Sequence, residues 1–156
     1  MLNIPHAEVN RDNFNTEYTN VFVHGFSGWG EYDDVCKLFP YWGVRNGDLM
    51  KYLNARGFDC HAATVAPAGS AWDRACELYA QLMGTVTDYG EAHSKRCRHD
   101  RFGKDYSECR LIDDWSAEKK VNLFGHSFGG ATVRMLAELM ANGDESEKTS
   151  SDVSPL

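Results

Sequence analysis

The residues with the clearest chemistry lie at positions 125–129, which read Gly-His-Ser-Phe-Gly. Residues 121–124 before them have the largely apolar character of a buried strand, and a helical pattern begins directly after Ser127. A serine between two glycines, with a strand before it and a helix after it, is typical of a nucleophile elbow. The sharp turn strains the serine backbone, so glycines are needed where strand and helix pass closely. The alternative interpretation is an ordinary glycine-rich turn.

Transfer of an acyl group requires a nucleophile, a base and hydrogen-bond donors for the oxyanion. We predict Ser127 as the catalytic nucleophile and the backbone N–H of Phe128 as one oxyanion donor. The N-terminus of the following helix directs free N–H groups and partial positive charge at the serine oxygen. His126 is a poor candidate for the base, because adjacent residues at an elbow point in different directions.

The composition is that of one soluble globular domain with a buried core, since 42% of the 156 residues are hydrophobic and 25% are charged. The net charge of −7, with no basic patch, argues against nucleic acid binding. No apolar run is long enough to span a membrane, and no signal peptide is visible. The five cysteines include no C-x-x-C pair, so a disulfide framework is not expected.

The elements that must position the serine are predicted to alternate between strands and helices. We expect a mobile polar lead-in over residues 1–19, a strand at Val21–Val23, and a glycine-rich loop at 24–30. After a surface connection at 31–47, we expect a helix from Asp48 that Gly57 closes, a strand at Phe58–Val65, and a helix at 71–83 capped by Ser70.

The second half begins with a charged, weakly periodic stretch at 84–116, which we interpret as an insertion. The strand at 121–124 and the elbow helix follow, Asn142 and Gly143 end that helix, and residues 144–155 read as a solvated loop or tail. This order predicts a parallel sheet. The loop at 24–30 and the turn at Ser127 each follow the carboxyl end of a predicted strand. The sites of open α/β sheets lie at these ends.

Six segments match one known family in order. They are His24-Gly25-Phe26-Ser27-Gly28-Trp29-Gly30, Tyr41-Trp42-Gly43-Val44-Arg45, Trp72-Asp73-Arg74-Ala75-Cys76-Glu77, Asp88-Tyr89-Gly90 with Ala92-His93, Arg101-Phe102-Gly103, and the elbow through Gly130. Residues 20–156 thereby resemble the N-terminal part of the zinc-containing bacterial true lipases of the staphylococcal and thermophilic-bacillus type. The resemblance implies a partial α/β-hydrolase fold, with about three parallel strands, flanking helices and a zinc-binding insertion.

The resemblance assigns the second oxyanion donor to the backbone N–H of Phe26, whose alternative role is that of a core aromatic. It also assigns His24 to bracing the oxyanion loop. Phe128 stands where the family often has glutamine, a departure that leaves a main-chain donor intact. His61 and the cysteines have no implied role in catalysis, and we expect Cys76 to be buried packing.

The resemblance further implies a structural zinc ion, because Asp73, His93 and His99 match three of the four family ligands. Carboxylate and imidazole groups suit Zn²⁺, and a structural site is normally closed by four ligands. The fourth family ligand, an aspartate, falls beyond Leu156, and so does any family calcium site. The alternative is that both histidines are simply solvent-exposed.

The resulting expectation is a carboxylic ester hydrolase of the triacylglycerol lipase type that works through an acyl-enzyme. Its substrates are lipid or acylglycerol esters at an oil–water interface, its location is extracellular by resemblance, and no obligate protein partner is implied. The alternatives are a lipase-like fragment or pseudoenzyme that keeps the fold without turnover, and an acyltransferase on the same elbow.

The chain is expected to be truncated before the acid and the base of the triad. In α/β-hydrolases the order is serine, acid, histidine. All six histidines of this sequence precede Ser127. We therefore expect these 156 residues alone to hydrolyse a short-chain nitrophenyl ester barely above background.

Overall fold

The computed structural model describes residues 17–43, 47–113 and 115–150. The strands are β1 (Thr19–Val23), β2 (Cys60–Ala63), β3 (Val86–Asp88), β4 (Phe102–Asp105) and β5 (Val121–Gly125). The helices are α1 (Asp34–Leu38), α2 (Leu49–Asn54), α3 (Ala71–Met83), α4 (Glu91–Cys97), α5 (Phe128–Asn142) and α6 (Glu145–Lys148), and a 3-10 turn covers Ser107–Cys109. Most of the predicted lead-in, residues 1–16, lies outside the described residues, and β1 begins two residues earlier than predicted.

Three strands form a parallel sheet in the order β2-β1-β5, which confirms the predicted arrangement. Phe22 of the central strand pairs with Ala62 on one side and with Phe124 on the other. Since parallel strands end at the same edge, this register brings the loop after β1 beside the turn after β5. The two loops predicted to carry the chemistry therefore meet.

The main core lies on the face of the sheet to which Val21 and Val23 point, and both side chains are fully buried. Helices α3 and α5 pack on this face through an apolar cluster that includes Leu78, Leu82 and Leu136. Phe22 alternates to the opposite face, where a smaller cluster contains Met50 and Ala62. Helices thus cover both faces, as an α/β architecture requires.

Helix α3 has a well-formed cap at each end. Its N-cap Ser70 accepts from the Asp73 N–H while the Asp73 side chain accepts from the Ser70 N–H, which is the predicted cap in the form of a capping box. Gly84 ends the helix at φ 69°, a left-handed conformation that favours glycine. Asp73 is therefore fixed in the first turn.

Several predicted boundaries need correction. Strand β2 is only Cys60–Ala63, because its partner β1 leaves the sheet after Val23 and offers nothing further to pair with. Helix α2 ends at Asn54 instead of Gly57, since the Asn54 side chain bonds to the backbone of Cys60. The surface connection at 31–47 contains the short helix α1.

The insertion and the predicted tail are also more ordered than the sequence indicated. Within residues 84–116, β3 and β4 form an antiparallel pair and α4 lies between them. Within residues 144–155, α6 forms and its Glu147 is buried, so the description of this segment as wholly solvated was wrong. None of the helices in the described residues has the length and apolarity that a bilayer span needs.

Candidate active site and metal centre

Ser127 occupies a sharp turn between the end of β5 at Gly125 and the start of α5 at Phe128. Its φ of 53° and ψ of −121° are unusual for a residue with a side chain. A Cβ on Gly129 would lie 2.1 Å from the carbonyl oxygen of Val23, and a Cβ on Gly125 would lie 2.4 Å from the Gly129 backbone. Both glycines are therefore required by close backbone approach, and the geometry is that of the predicted elbow.

The loop after β1 passes directly beside this serine. A Cβ on Gly25 would lie 3.0 Å from Cβ of Ser127. The described residues provide no hydrogen-bond acceptor for the backbone N–H of Phe26 or of Phe128, the two predicted oxyanion donors. Phe26 is 64% exposed, so its alternative role as a core aromatic was wrong.

Tyr41 ties the oxyanion loop to the elbow. Its hydroxyl accepts from the Gly25 N–H at 3.0 Å and lies 2.7 Å from Nδ1 of His126. His126 is thus held against Tyr41, and within the described part of the chain it makes no hydrogen bond to Ser127. This arrangement agrees with the expectation that His126 is a poor candidate for the base. No individual role was predicted for Tyr41.

His24 lies fully buried beneath the oxyanion loop. Its Nδ1 is 2.8 Å from the carbonyl oxygen of Gly25, and its Nε2 is 3.1 Å from that of Val65. Burial lowers the pKa of His24 below its ordinary value, and the charge of Arg74 lowers it further. A neutral ring carries one N–H and donates to one of these carbonyls at a time. The position agrees with the bracing role implied for His24.

Sequence reasoning missed Arg74, which is fully buried in α3. Its guanidinium donates to the carbonyl oxygens of His24 at 2.5 Å, Gly25 at 3.3 Å and Ala66 at 3.2 Å. It also donates to Oγ1 of Thr132, on the elbow helix, at 3.0 Å. One buried cation therefore joins the oxyanion loop to α5. Its position within a matched family segment was the available signal.

A cavity of about 430 Å³ opens beside α3 and is lined by Ala66, Gly69, Asp73, Glu77, Tyr89, His99, Asp100 and Phe102. Buried Glu77 accepts from the Ala66 N–H at 2.5 Å and from the Tyr89 hydroxyl at 2.8 Å. Burial raises the pKa of the Glu77 carboxyl above its ordinary value. The polar wall of this cavity contains two of the predicted metal ligands.

The structure brings all three predicted metal ligands together. Oδ1 of Asp73 lies 2.9 Å from Nε2 of His93 and 3.5 Å from Nε2 of His99. His93 is 5% exposed and stacks on Trp72 with ring centroids 4.7 Å apart. One carboxylate facing two imidazoles fits a divalent zinc-type cation. The alternative of two solvent-exposed histidines is wrong for His93.

Cys97 belongs to the same cluster, which the sequence did not indicate. One ligand atom each of His93, Cys97 and His99 lie within 4.8 Å of one another. Cys97 follows His93 by four residues, so the two lie on one face of α4. That spacing was the signal in the sequence that could have revealed it.

Glu147 of α6 fixes the start of the helix that carries His93. Its carboxylate accepts from the backbone N–H of Ala92 at 3.1 Å and of His93 at 2.6 Å. A Cβ on Gly90 would lie 2.5 Å from Cδ of Glu147, so the two segments are in close contact. The end of the described chain is thereby joined to the metal cluster.

Glu147→Ala is expected to destabilise the protein by about 2 kcal/mol, because the buried N–H of His93 and the partly buried N–H of Ala92 lose a charged acceptor. Glu147→Gln keeps one acceptor oxygen and should lose less stability than Glu147→Ala. Amide hydrogen exchange over α4 should accelerate in the same order. The control is Glu145→Ala on the exposed side of α6, which should change stability by less than ~0.5 kcal/mol. Unchanged exchange in Glu147→Ala would contradict this role.

Comparison with known proteins places this geometry in a family. The family described as "Lipase-like, C-terminal domain" matches residues 16–155. Lipase 2 of Staphylococcus aureus is 41% identical over 132 residues, which are 84% of this chain and 19% of that protein. The chain therefore spans about a fifth of the length of the curated relatives it matches.

Solved structures agree with the sequence match. EstA from Clostridium botulinum superposes with a TM-score of 0.81 at 41% identity, over 92% of this chain and 34% of that one. The lipase of Staphylococcus hyicus superposes with a TM-score of 0.79 at 37% identity, over 91% and 36% of the two chains. These neighbours confirm the α/β-hydrolase type of the fold. With nearly all of its length matched, the protein belongs to the family of lipase-like C-terminal domains.

Proposed function

We propose that this chain supplies the nucleophile and the oxyanion hole of a serine carboxylic ester hydrolase of the triacylglycerol lipase type. The observation that carries the proposal is Ser127, held at φ 53° between β5 and α5 with the Gly25 loop against its Cβ. This geometry leaves the serine at the carboxyl edge of the sheet. The lipase names of the relatives support the same reaction class.

In the proposed reaction, Oγ of Ser127 attacks the ester carbonyl carbon while a base accepts its proton. The carbonyl oxygen becomes an oxyanion, which accepts hydrogen bonds from the N–H groups of Phe26 and Phe128. When this intermediate collapses, the ester C–O bond breaks, the protonated base gives its proton to the leaving alcohol, and an acyl-enzyme remains. Water, deprotonated by the same base, then releases the carboxylic acid and regenerates the serine.

The described histidines are engaged elsewhere. His24 is buried against carbonyl groups, His126 contacts Tyr41, and His61 contacts Glu31 and Asp59. His93 and His99 face Asp73. We propose that the triad acid and base lie in lipase sequence beyond these 156 residues, as the greater length of the relatives permits.

Asp73, His93 and His99 are proposed to hold a structural Zn²⁺. Such an ion would pin the insertion to α3 through α4, with no part in the reaction itself. The proposed substrates are lipid or acylglycerol esters at an oil–water interface, and the proposed location is extracellular. Both follow from the family.

The test joins residues 1–156 to the part of Staphylococcus hyicus lipase that follows its matching segment. A folded chimera, checked by circular dichroism, should hydrolyse a nitrophenyl ester, whereas the chain alone should remain near background. The Staphylococcus hyicus portion alone is the control. A folded chimera without turnover would favour the pseudoenzyme alternative. Transfer of the acyl group to an added alcohol in preference to water would favour the acyltransferase alternative.

A further inference from the structure

We propose that Tyr41 is a positioning residue of the active site, and that its hydroxyl sets the separation between the two backbone donors of the oxyanion hole. The inference rests on the proposed function of Ser127. The Phe26 N–H belongs to the loop after β1, and the Phe128 N–H belongs to the turn after β5. Because both donors must point at one oxygen atom, the spacing of these two segments decides how well an oxyanion is bound.

The direction of the Phe26 N–H is fixed by the other side of its own peptide. The carbonyl oxygen of Gly25 accepts from the Arg74 guanidinium at 3.3 Å and from the Gly28 N–H at 3.2 Å. Nδ1 of buried His24 lies 2.8 Å from the same oxygen. This peptide is trans, so its N–H points opposite to its carbonyl group. The Phe26 N–H therefore points away from these interior partners.

The donor at the elbow is oriented in the same way. The carbonyl oxygen of Ser127 accepts from the Gly130 N–H at 3.0 Å, along the first turn of α5. The Phe128 N–H is on the opposite side of that peptide and points away from the helix. The His126 N–H donates to the carbonyl oxygen of Val23 at 3.0 Å, which holds the elbow on the end of β1. What remains to be set is the distance between the two donors.

Tyr41 comes from a third segment and contacts both of these. Its hydroxyl oxygen accepts from the Gly25 N–H at 3.0 Å and lies 2.7 Å from Nδ1 of His126. Gly25 directly precedes Phe26, and His126 directly precedes Ser127. The phenol has one proton, and its donation to Nδ1 satisfies both groups and leaves the ring N–H of His126 on Nε2. One hydroxyl thus connects the loop that carries one donor to the turn that carries the other.

The position of this hydroxyl is fixed by the surroundings of the Tyr41 ring. The rings of Trp29 and Trp42 meet it edge-on, with centroids 5.4 Å and 5.3 Å away. Nε1 of Trp29 donates to the carbonyl oxygen of Phe39 at 2.7 Å, and the Leu49 N–H donates to that of Trp42 at 3.0 Å. Tyr41 is therefore held on both sides of the chain and acts as a rigid spacer.

The test compares Tyr41→Phe with the unaltered residue in the chimera that carries the Staphylococcus hyicus segment. Phenylalanine keeps the ring and its packing but removes the hydroxyl. We expect kcat for a nitrophenyl ester to fall about 10- to 100-fold, less than the loss of a whole oxyanion donor costs. KM should change less than about twofold, because the donors act on the oxyanion more than on the bound ester. The control is Tyr52→Phe, which removes a hydroxyl from an exposed ring on α2 and should retain kcat.

A double variant tests whether Tyr41 acts through His126. His126→Leu removes the acceptor of the phenol proton and should also lower kcat. Tyr41→Phe combined with His126→Leu should be no slower than Tyr41→Phe alone, because the same contact is lost in both. If the two effects multiply, the residues act separately and the proposal is overturned.

A second measurement is independent of activity. Amide hydrogen exchange at Gly25 in the 156-residue chain should accelerate at least about tenfold in Tyr41→Phe and stay unchanged in Tyr52→Phe, since only the first removes the acceptor of this N–H. Accelerated exchange beside an unaltered chimera without turnover would reject the hydrolase proposal and support the spacing role. Unchanged exchange, or unchanged kcat of Tyr41→Phe in an active chimera, would overturn the role of Tyr41 and leave the hydrolase proposal standing.

Discussion

Ser127→Ala is expected to lower ester turnover by about a millionfold in a chain that contains the triad acid and base, as loss of the nucleophile does in other serine hydrolases. Alanine keeps the Cβ and the backbone of the elbow but removes the oxygen that forms the acyl-enzyme. The measurement is hydrolysis of a nitrophenyl ester by the chimera with and without the substitution. Residual rate should reflect only binding and the oxyanion hole.

The matched control for this substitution is Ser27→Ala. Ser27 also has a positive φ, of 56°, and lies in the neighbouring loop. Ser27→Ala therefore makes the same chemical change, the loss of a serine hydroxyl, at a similar backbone conformation. The control variant should retain most of the activity. Equal loss in both variants would mean that the chemistry does not depend on the hydroxyl of Ser127.

The second large effect is expected for Arg74→Met, which should lower the free energy of unfolding by at least ~3 kcal/mol. The substitution fills similar space but leaves the carbonyl oxygens of His24, Gly25 and Ala66 without this donor. A buried acceptor left unsatisfied costs about 1–3 kcal/mol. The free energy of unfolding of Arg74→Lys should lie between those of the unaltered protein and Arg74→Met, because one ammonium group cannot reproduce the planar fork of a guanidinium.

Urea denaturation gives the comparison, with Arg56→Met as the control. Arg56 is only partly buried, donates to the carbonyl oxygen of Tyr52 and lies over the ring of that same residue, so its loss should cost at most ~1 kcal/mol. If Arg74→Met and Arg56→Met unfold at the same urea concentration, the guanidinium of Arg74 does not hold the oxyanion loop in the way described.

The features that were predictable from the sequence are those with a local signal. The strand before Ser127, the elbow glycines and the Ser70 cap each depend on a few adjacent residues. The parallel sheet followed from the alternation of strands and helices, and the register of β1 then brought the two site loops together. The clustering of Asp73 with His93 and His99 came from the family resemblance, because their spacing alone was weak.

The features that escaped prediction depend on contacts between distant segments. Arg74 reads as an exposed charge, yet backbone carbonyls from two loops surround it. Glu147 stands in a polar, serine-rich stretch and is buried only because α4 presents two free N–H groups to it. Cys97 lies near His99 only because the chain reverses at Arg98, directly after the helix. Of these contacts, only that of His93 with Cys97 has a periodic signature, the spacing of four residues on one helix face.

The role of Ser127 as nucleophile is tested most directly by labelling with a fluorophosphonate, followed by peptide mass spectrometry to locate the adduct. In the chimera we expect one adduct, on Ser127, and none in Ser127→Ala. The chain alone should label slowly at the same residue, because the proposed mechanism takes the base that activates the serine from outside these residues. Labelling that persists unchanged in Ser127→Ala, or an adduct on another residue, would contradict the account.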